Sequence, residues 1–344
     1  MTTPEIEFGL DSFVPITVDE SGRELSGDVV IRNTVEEAVL ADAVGIDSFN
    51  IAEHYRRDMM DSAAHVILAA IAGRTERIRL GTAVTVLSTQ DPVWVYTQFA
   101  TLDAVSNGRA EVILGRGSFI ESFPLFGYDL RDYEALFEEK LDLFSQLLTE
   151  KPVTWQGSLR APLTDANVFP KTAHGLTAWV GVGGTPESVV RAARYGYGLM
   201  LAIIGGPAAR FRPFVDLYHR SLDSFGREQL PVGIHSPGHI AETDQQAWEE
   251  AYEGFESMNN TIGRERGWPP YSRGRFQHDV GPEGALYVGS PETVARKIAD
   301  TVRMLGSTRF DMKFSTGTLS HEKMMRSIEL YGTRVQPLVR DMLG

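Results

Sequence analysis

The sequence predicts an α/β fold, a (β/α)8 TIM barrel with insertions after the fourth helix and before the last strand. Three observations carry this. Strand-like and helix-like segments alternate along nearly the whole chain. Eight strand-like segments each lead into a helix-like one. The 344 residues match eight βα units, about 250 residues, plus insertions. No repeat, low-complexity tract or linker divides the chain, so residues 1–344 read as one domain. An open doubly wound sheet is the rival architecture, but it requires no particular number of units.

The elements follow in order. IEFGLDSF (6–13) is the first strand. A helix is expected from Asn33, where Asn33 and Glu36 form a capping-box pattern ahead of VEEAVLADAVG. DSFNIAEH (47–54) is the second strand and AAHVILAAIAGR (63–74) its helix. IRLGTAVTVLS (78–88) is rich in β-branched residues and forms the third. The helix over 92–108 has Pro92 near its start and Gly108 at its end. RAEVILGRG (109–117) is the fourth strand, and YEALFEEKLDLFSQLLT (133–149) an amphipathic helix.

Alternation pauses over 150–176, which holds three prolines and few periodic runs. It resumes with strand TAWVGVGG (177–184), helix PESVVRAARYG (186–196), strand GLMLAIIGG (198–206) and a helix near 208–225. LPVGIHSPGHIA (230–241) precedes a polar helix (244–258) and a second excursion rich in Arg, Gly and Pro (263–284). The last units are helix 291–306, strand RFDMKFSTG (309–317) and helix 321–343.

Composition excludes several function classes. Lys plus Arg is 33 against 46 Asp plus Glu, a net charge of −13, which argues against nucleic acid as a partner. With no cysteine, disulfides, thiolate catalysis and Cys-bound zinc are excluded. The N-terminus shows no secretory pattern, and no apolar run approaches the roughly 18 residues of a membrane span. A cytoplasmic protein is expected.

In a TIM barrel the active site lies where the strands end. FNIAEHYRRD (49–58) begins as apolar strand and finishes in titratable groups, which puts His54 at that face. The alternative is a histidine that caps the strand or binds a carbonyl. Other strand ends are small or glycine-bearing: Gly81 to Thr85, Gly115-Arg116-Gly117, and Gly181 to Gly184. GVGGTPES ends a strand and opens a helix, with Thr185 as N-cap, Pro186 at the first helical position and hydroxyls on Thr185 and Ser188. Free N–H groups there suit a phosphate. VGSPETV (288–294) repeats the pattern, and spacing alone does not choose between the copies. The extra glycine and Arg116 favour the first. HSPGH (235–239) would pair two histidines on a helix, but Pro237 and Gly238 oppose a helix, so no metal is expected. There is no GxSxG or Walker loop, and no obvious strand-end carboxylate pair.

Together FNIAEHY, the run from Ile78 to Gly117, WVGVGGTPESVVRAARYG, ALYVGSPETVARKI and VQPLVR resemble the bacterial luciferase-like family of flavin-dependent monooxygenases and oxidoreductases. The resemblance covers nearly the whole chain. It implies a barrel that binds reduced FMN or, in some branches, a deazaflavin. His54 matches the family's active-site histidine, while Tyr55 stands where some relatives carry a second one. Ala83 and Val84 match the place of a non-prolyl cis peptide under the flavin ring. Arg116, Thr185 and Ser188 match phosphate-binding positions, with Gly183 and Gly184 offering backbone, which selects the first glycine copy. Gly115 replaces a bulkier side chain and leaves room beside the ring. Arg264, Arg266 and Arg273 fall in a region that is disordered or lid-forming in relatives. Phe13, Phe119 and Phe314 are candidates for the substrate wall.

The resemblance therefore implies a monooxygenase that uses reduced FMN and O2 on a small organic substrate. A separate flavin reductase would supply the cofactor, and a homodimer would form through helices of the second and third units. The alternatives are a deazaflavin-dependent hydride-transfer enzyme and a non-catalytic flavin-binding protein.

Overall fold

The computed structural model describes residues 5–317 and 319–344. The strands are β1 (Glu7–Ser12), β2 (Ser48–Ile51), β3 (Arg79–Val86), β4 (Glu111–Gly115), β5 (Val153–Trp155), β6 (Leu163–Ala166), β7 (Thr177–Val182), β8 (Gly198–Ala202), β9 (Val232–Ile240), β10 (Tyr287–Gly289) and β11 (Arg309–Lys313). The helices are α1 (Gly27–Ala43), α2 (Ala64–Ala72), α3 (Pro92–Ser106), α4 (Ser122–Leu125), α5 (Tyr133–Leu147) and α6 (Pro186–Tyr195). They continue with α7 (Arg212–Ser224), α8 (Asp244–Arg266), α9 (Arg273–Val280), α10 (Pro291–Leu305), α11 (His321–Leu330) and α12 (Gln336–Leu343).

Eight parallel strands close in the order β1-β2-β3-β4-β7-β8-β9-β11, because β11 pairs with both β9 and β1. They are the eight strands the sequence predicts. The antiparallel β5–β6 hairpin fills the excursion after α5, and β10 extends the far end of β9.

Two expectations change. The first helix begins at Gly27, not Asn33. Asp28 accepts from Ser26 and pairs with Arg32, and Val30 is buried, so an earlier turn is held in place and Asn33 lies mid-helix. The excursion at 263–284 is also largely ordered as helix. The polar helix α8 runs on to Arg266, and α9 starts at Arg273, capped by Ser272, whose hydroxyl accepts from the Arg275 N–H.

The barrel interior is layered, and glycines make the layers possible. An added Cβ at Gly9 would meet Asp311 and Ser48, at Gly81 it would meet Asn50 and Glu111, and at Gly198 it would meet Trp179. The space left by these strands is filled by a polar cluster around Arg309, which lies 5.2 Å from the Trp179 ring. Above it Ile113, Trp179 and Met200 form a small apolar layer, with Ala83 and Val84 packed against it. That layer is the floor of the site.

Candidate active site

The floor is shaped by β3. Its register against β4 shifts between Ala83 and Thr85, and the Ala83–Val84 peptide bond is cis. The Val84 side chain is turned between two neighbouring strands. A Cβ on Gly115 would lie 2.5 Å from Val84 Cγ2, and one on Gly181 2.7 Å from Val84 Cγ1. The glycines make room for Val84, and Gly115 also lines the cavity beside it.

Above this floor lies a cavity of about 300 Å³. It is lined by His54, Ala83, Val84, Gly115, Arg116 and Gly183, together with Phe13, Phe119 and His235. Gly184, Thr185 and Ser188 lie outside the lining but connect to it, because Arg116 donates to the Thr185 hydroxyl at 3.2 Å. Phe314 is fully buried against Phe49 and is core, a correction to the expected substrate wall.

His54 follows β2 and is fixed by Asp61, which the chain returns from the next loop. Asp61 Oδ1 accepts the His54 backbone N–H at 3.0 Å, and Oδ2 lies 2.7 Å from Nδ1. Burial raises the Asp61 carboxyl above its ordinary range, against the pull of His54. With Nδ1 held, Nε2 is the nitrogen left for the cavity. Phe13 and Phe119 pack on the imidazole at 4.7 and 5.0 Å between ring centroids.

Glu53, beside His54, is buried and also pushed upward by burial. It accepts from the Val86 N–H at 2.9 Å, the Gln90 amide at 2.8 Å and the Tyr55 hydroxyl at 2.8 Å. It thereby ties the end of β2 to the end of β3. Tyr55, the residue in place of a second histidine, is spent on this support.

The insertion contacts the rim of the cavity through Glu265 and Arg266. Arg266 donates to the Ser118 carbonyl and lies 5.0 Å from the Phe119 ring. Arg56 binds both oxygens of Glu265 at 2.8 Å and one of Glu121 at 2.6 Å. Of the three arginines expected in a lid, Arg266 reaches the site. Arg273 instead stacks on Tyr252, and Arg264 bonds Thr261.

The two glycine–proline helix starts differ decisively. At α10, Asp244 accepts from the Ser290 N–H at 2.7 Å and from the Thr293 hydroxyl at 3.0 Å. A carboxylate already sits there, which opposes a second anion. At α6, Thr185 makes no side-chain cap to the helix and instead donates to Ser188 Oγ at 2.8 Å. An added Cβ on Gly183 or Gly184 would meet nothing within 4 Å, and Gly184 has φ +129, which side-chain-bearing residues rarely adopt. Arg116 is paired with Glu134 across this end. The donor set fits one phosphate: a guanidinium, two hydroxyls and helix N–H groups.

Four residues at or beside the cavity were given no role from the sequence: Asp61, Asp11, His235 and Lys313. His235 was weighed only as half of a helical metal pair. The length of segment 230–241 was the signal, since β9 runs past its neighbours: β8 ends opposite His235 and β11 opposite Pro237. His239 lies beyond them and contacts Glu250 at 2.8 Å.

A closed parallel barrel with an imidazole–carboxylate pair at its strand ends is the architecture of a barrel enzyme. Residues 10–309 match the model of the luciferase-like monooxygenase family, and the chain belongs to that family. It is 25% identical to 4-hydroxyprotoasukamycin monooxygenase of Streptomyces nodosus subsp. asukaensis over 88% of this chain and 85% of that one. Monooxygenase RslO1 of Streptomyces bottropensis superposes with a TM-score of 0.84 at 23% identity, over 96% and 99% of the two chains. The oxygenating constituent of 3,6-diketocamphane monooxygenase of Pseudomonas putida, in complex with FMN, gives 0.77 at 18% identity over 97% and 98%. An F420-dependent secondary alcohol dehydrogenase gives 0.75 at 16% identity over 97% and 99%. The relatives thus include FMN monooxygenases and F420-dependent oxidoreductases.

Proposed function

We propose that the protein is a monooxygenase that uses reduced FMN, supplied by a separate reductase, and O2 to oxidise a small organic substrate. The observation that supports it most is the joining of two features by one side chain. Arg116 lines the cavity that His54 faces and also reaches Thr185 at the uncapped start of α6. A flavin with its phosphate at α6 and its ring over Ala83 and Val84 would place that ring beside His54.

Bound there, the reduced flavin supplies the electrons that activate oxygen. The chain's own residues do the rest. Arg116, Thr185 and Ser188 hold the phosphate. Val84, Ile113 and Met200 form an apolar floor, and Phe13 and Phe119 keep water from the imidazole side. Asp61 orients His54 so that Nε2 gives or takes a proton at the reacting end. FMN suits the cradle better than a longer polyanionic cofactor. Three arginines, Arg116, Arg191 and Arg194, share two carboxylates, Glu134 and Glu138, so the group leaves charge for one phosphate.

The test is rapid mixing of protein loaded with reduced FMN against oxygenated buffer, with F420 affinity measured alongside. A spectral species between reduced and oxidised flavin that outlives the free-flavin control is expected. Oxidation at the free-flavin rate, with F420 bound more tightly than FMN, would overturn the proposal in favour of hydride transfer.

The homodimer is also a proposal, supported by Val66, Trp94 and Val105, which are 60%, 60% and 55% exposed on α2 and α3. An exposed apolar face of this kind marks an interface. Sedimentation should show a dimer that Trp94→Glu converts to monomer; a wild-type monomer would discard the interface.

A further inference from the structure

Across Phe13 from His54, the cavity holds a second imidazole beside a carboxylate. His235 lines it, with Nδ1 2.8 Å from Asp11 Oδ2. Asp11 is fully buried at the end of β1, yet neither of its oxygens has an aligned hydrogen-bond donor among the described residues. The 2.8 Å approach is thus an electrostatic contact, off the axis of a hydrogen bond. A buried carboxylate in that condition is costly unless positive charge gathers beside it. Lys313 supplies part of that charge. It is buried, its Nζ lies 4.4 Å from the Phe13 ring centroid, and it approaches the Met258 sulfur at 3.6 Å. Burial lowers its pKa to about 8, while Asp11 and Asp61 pull it back up. A proton delivered to the His235 ring by a ligand would sit against Asp11 and supply the rest.

We propose that His235 is a second proton-handling residue of this site, the base that takes the hydroxyl proton of a phenolic or enolic substrate. The walls set the body of that substrate: Phe13, Phe119, Ile113 and Met200 suit a flat apolar ring system. The base sets its functional group. The substrate O–H proton passes to His235 Nε2, the electron pair stays on the substrate oxygen, and Asp11 stabilises the imidazolium. The resulting oxyanion pushes electron density into the ring or double bond, which makes a carbon there nucleophilic. That consequence rests on the monooxygenase reading; the proton transfer does not. The charged groups around His235 are Asp11 from β1, Lys313 from β11 and, across Phe13, His54 with Asp61; β8 presents uncharged Ala202 opposite it.

The probe is 4-nitrophenol, whose phenolate absorbs visible light. Binding is measured by dialysis and ionisation by absorbance, on flavin-free and FMN-loaded protein. Bound to the wild type, the probe should ionise about one pH unit lower than in solution, a tenfold gain in phenolate. His235→Gln should still bind it but return the midpoint to the solution value. Asp11→Asn should lose most of the shift, and His54→Gln should keep it. Absence of binding, a bound probe that stays neutral, or a shift that survives His235→Gln would each overturn the proposal. Protein that ionises the probe but takes up no flavin supports this base and removes the monooxygenase reading. Protein that takes up flavin but leaves the probe neutral removes the base alone.

Discussion

Replacing His54 by glutamine is expected to lower turnover by about 10²- to 10⁴-fold, the usual worth of a positioned proton-transfer group, with little change in flavin affinity. The separation follows from the geometry. In the proposed pose His54 would act at the ring end of the cavity, whereas Arg116, Thr185 and Ser188 would hold the far end of the cofactor. Glutamine is chosen over alanine because its amide can still donate to Asp61. The Asp61 carboxylate has no exposed surface and would otherwise keep only the backbone N–H of residue 54 as partner. Fluorescence titration gives the flavin affinity, and single-turnover kinetics give the rate. Equal losses in both would mean that His54 binds rather than reacts. An unchanged rate would mean that His54 moves no proton in the reaction, and no rate in either protein would favour a flavin-binding protein without turnover.

The barrel was legible in the sequence because strands buried on both faces read as apolar runs, and each run led into a helix. His54 was legible for the same reason, since an apolar run that ends in titratable residues marks a strand end. Asp61 was not, because it returns from a loop whose path no periodicity describes. The choice between the two glycine–proline helix starts was left open by spacing. Its physical difference, Asp244 at α10, comes from the start of another helix, 46 residues before Ser290. Gly115 shows a third kind of limit. The sequence shows that space exists at a glycine, but only the fold shows that Val84 packs into it.

Arg309 carries the largest expected effect on stability. Its side chain is 1% exposed inside the barrel, and all three of its nitrogens donate hydrogen bonds. Nε and Nη2 donate to Asp311 at 2.8 Å, Nη1 and Nη2 to Glu111 at 2.9 and 2.7 Å, and Nη2 also reaches Ser48 at 2.9 Å. One guanidinium thus faces two buried carboxylates, and they respond oppositely. Burial pushes both up, but Arg309 and Arg79 bring Glu111 below its ordinary value, whereas Asp311 stays above its own beside Glu111 and Asp11. The two respond oppositely because Arg79 also pulls on Glu111, and the single charge of Arg309 does not neutralise both carboxylates. Arg309→Met would leave both without that charge, at a cost of about 3–5 kcal/mol at neutral pH. In the variant Asp311 loses the charge that pulled it down, so its native pKa lies further above the unfolded one. Stability should therefore return as pH falls from neutrality toward the ordinary carboxylate range, where protonation removes the buried charge. Urea unfolding of wild type and variant at a series of pH values reads this directly. The triple replacement Arg309→Met, Glu111→Leu, Asp311→Leu should recover much of the loss without acid, because it buries no charge at all. A variant as stable as the wild type at neutral pH, or one that weakens further in acid relative to it, would show that the cluster is not held by charge. Flavin affinity of the folded fraction should be unchanged, since the Ile113, Trp179 and Met200 layer separates Arg309 from the cavity.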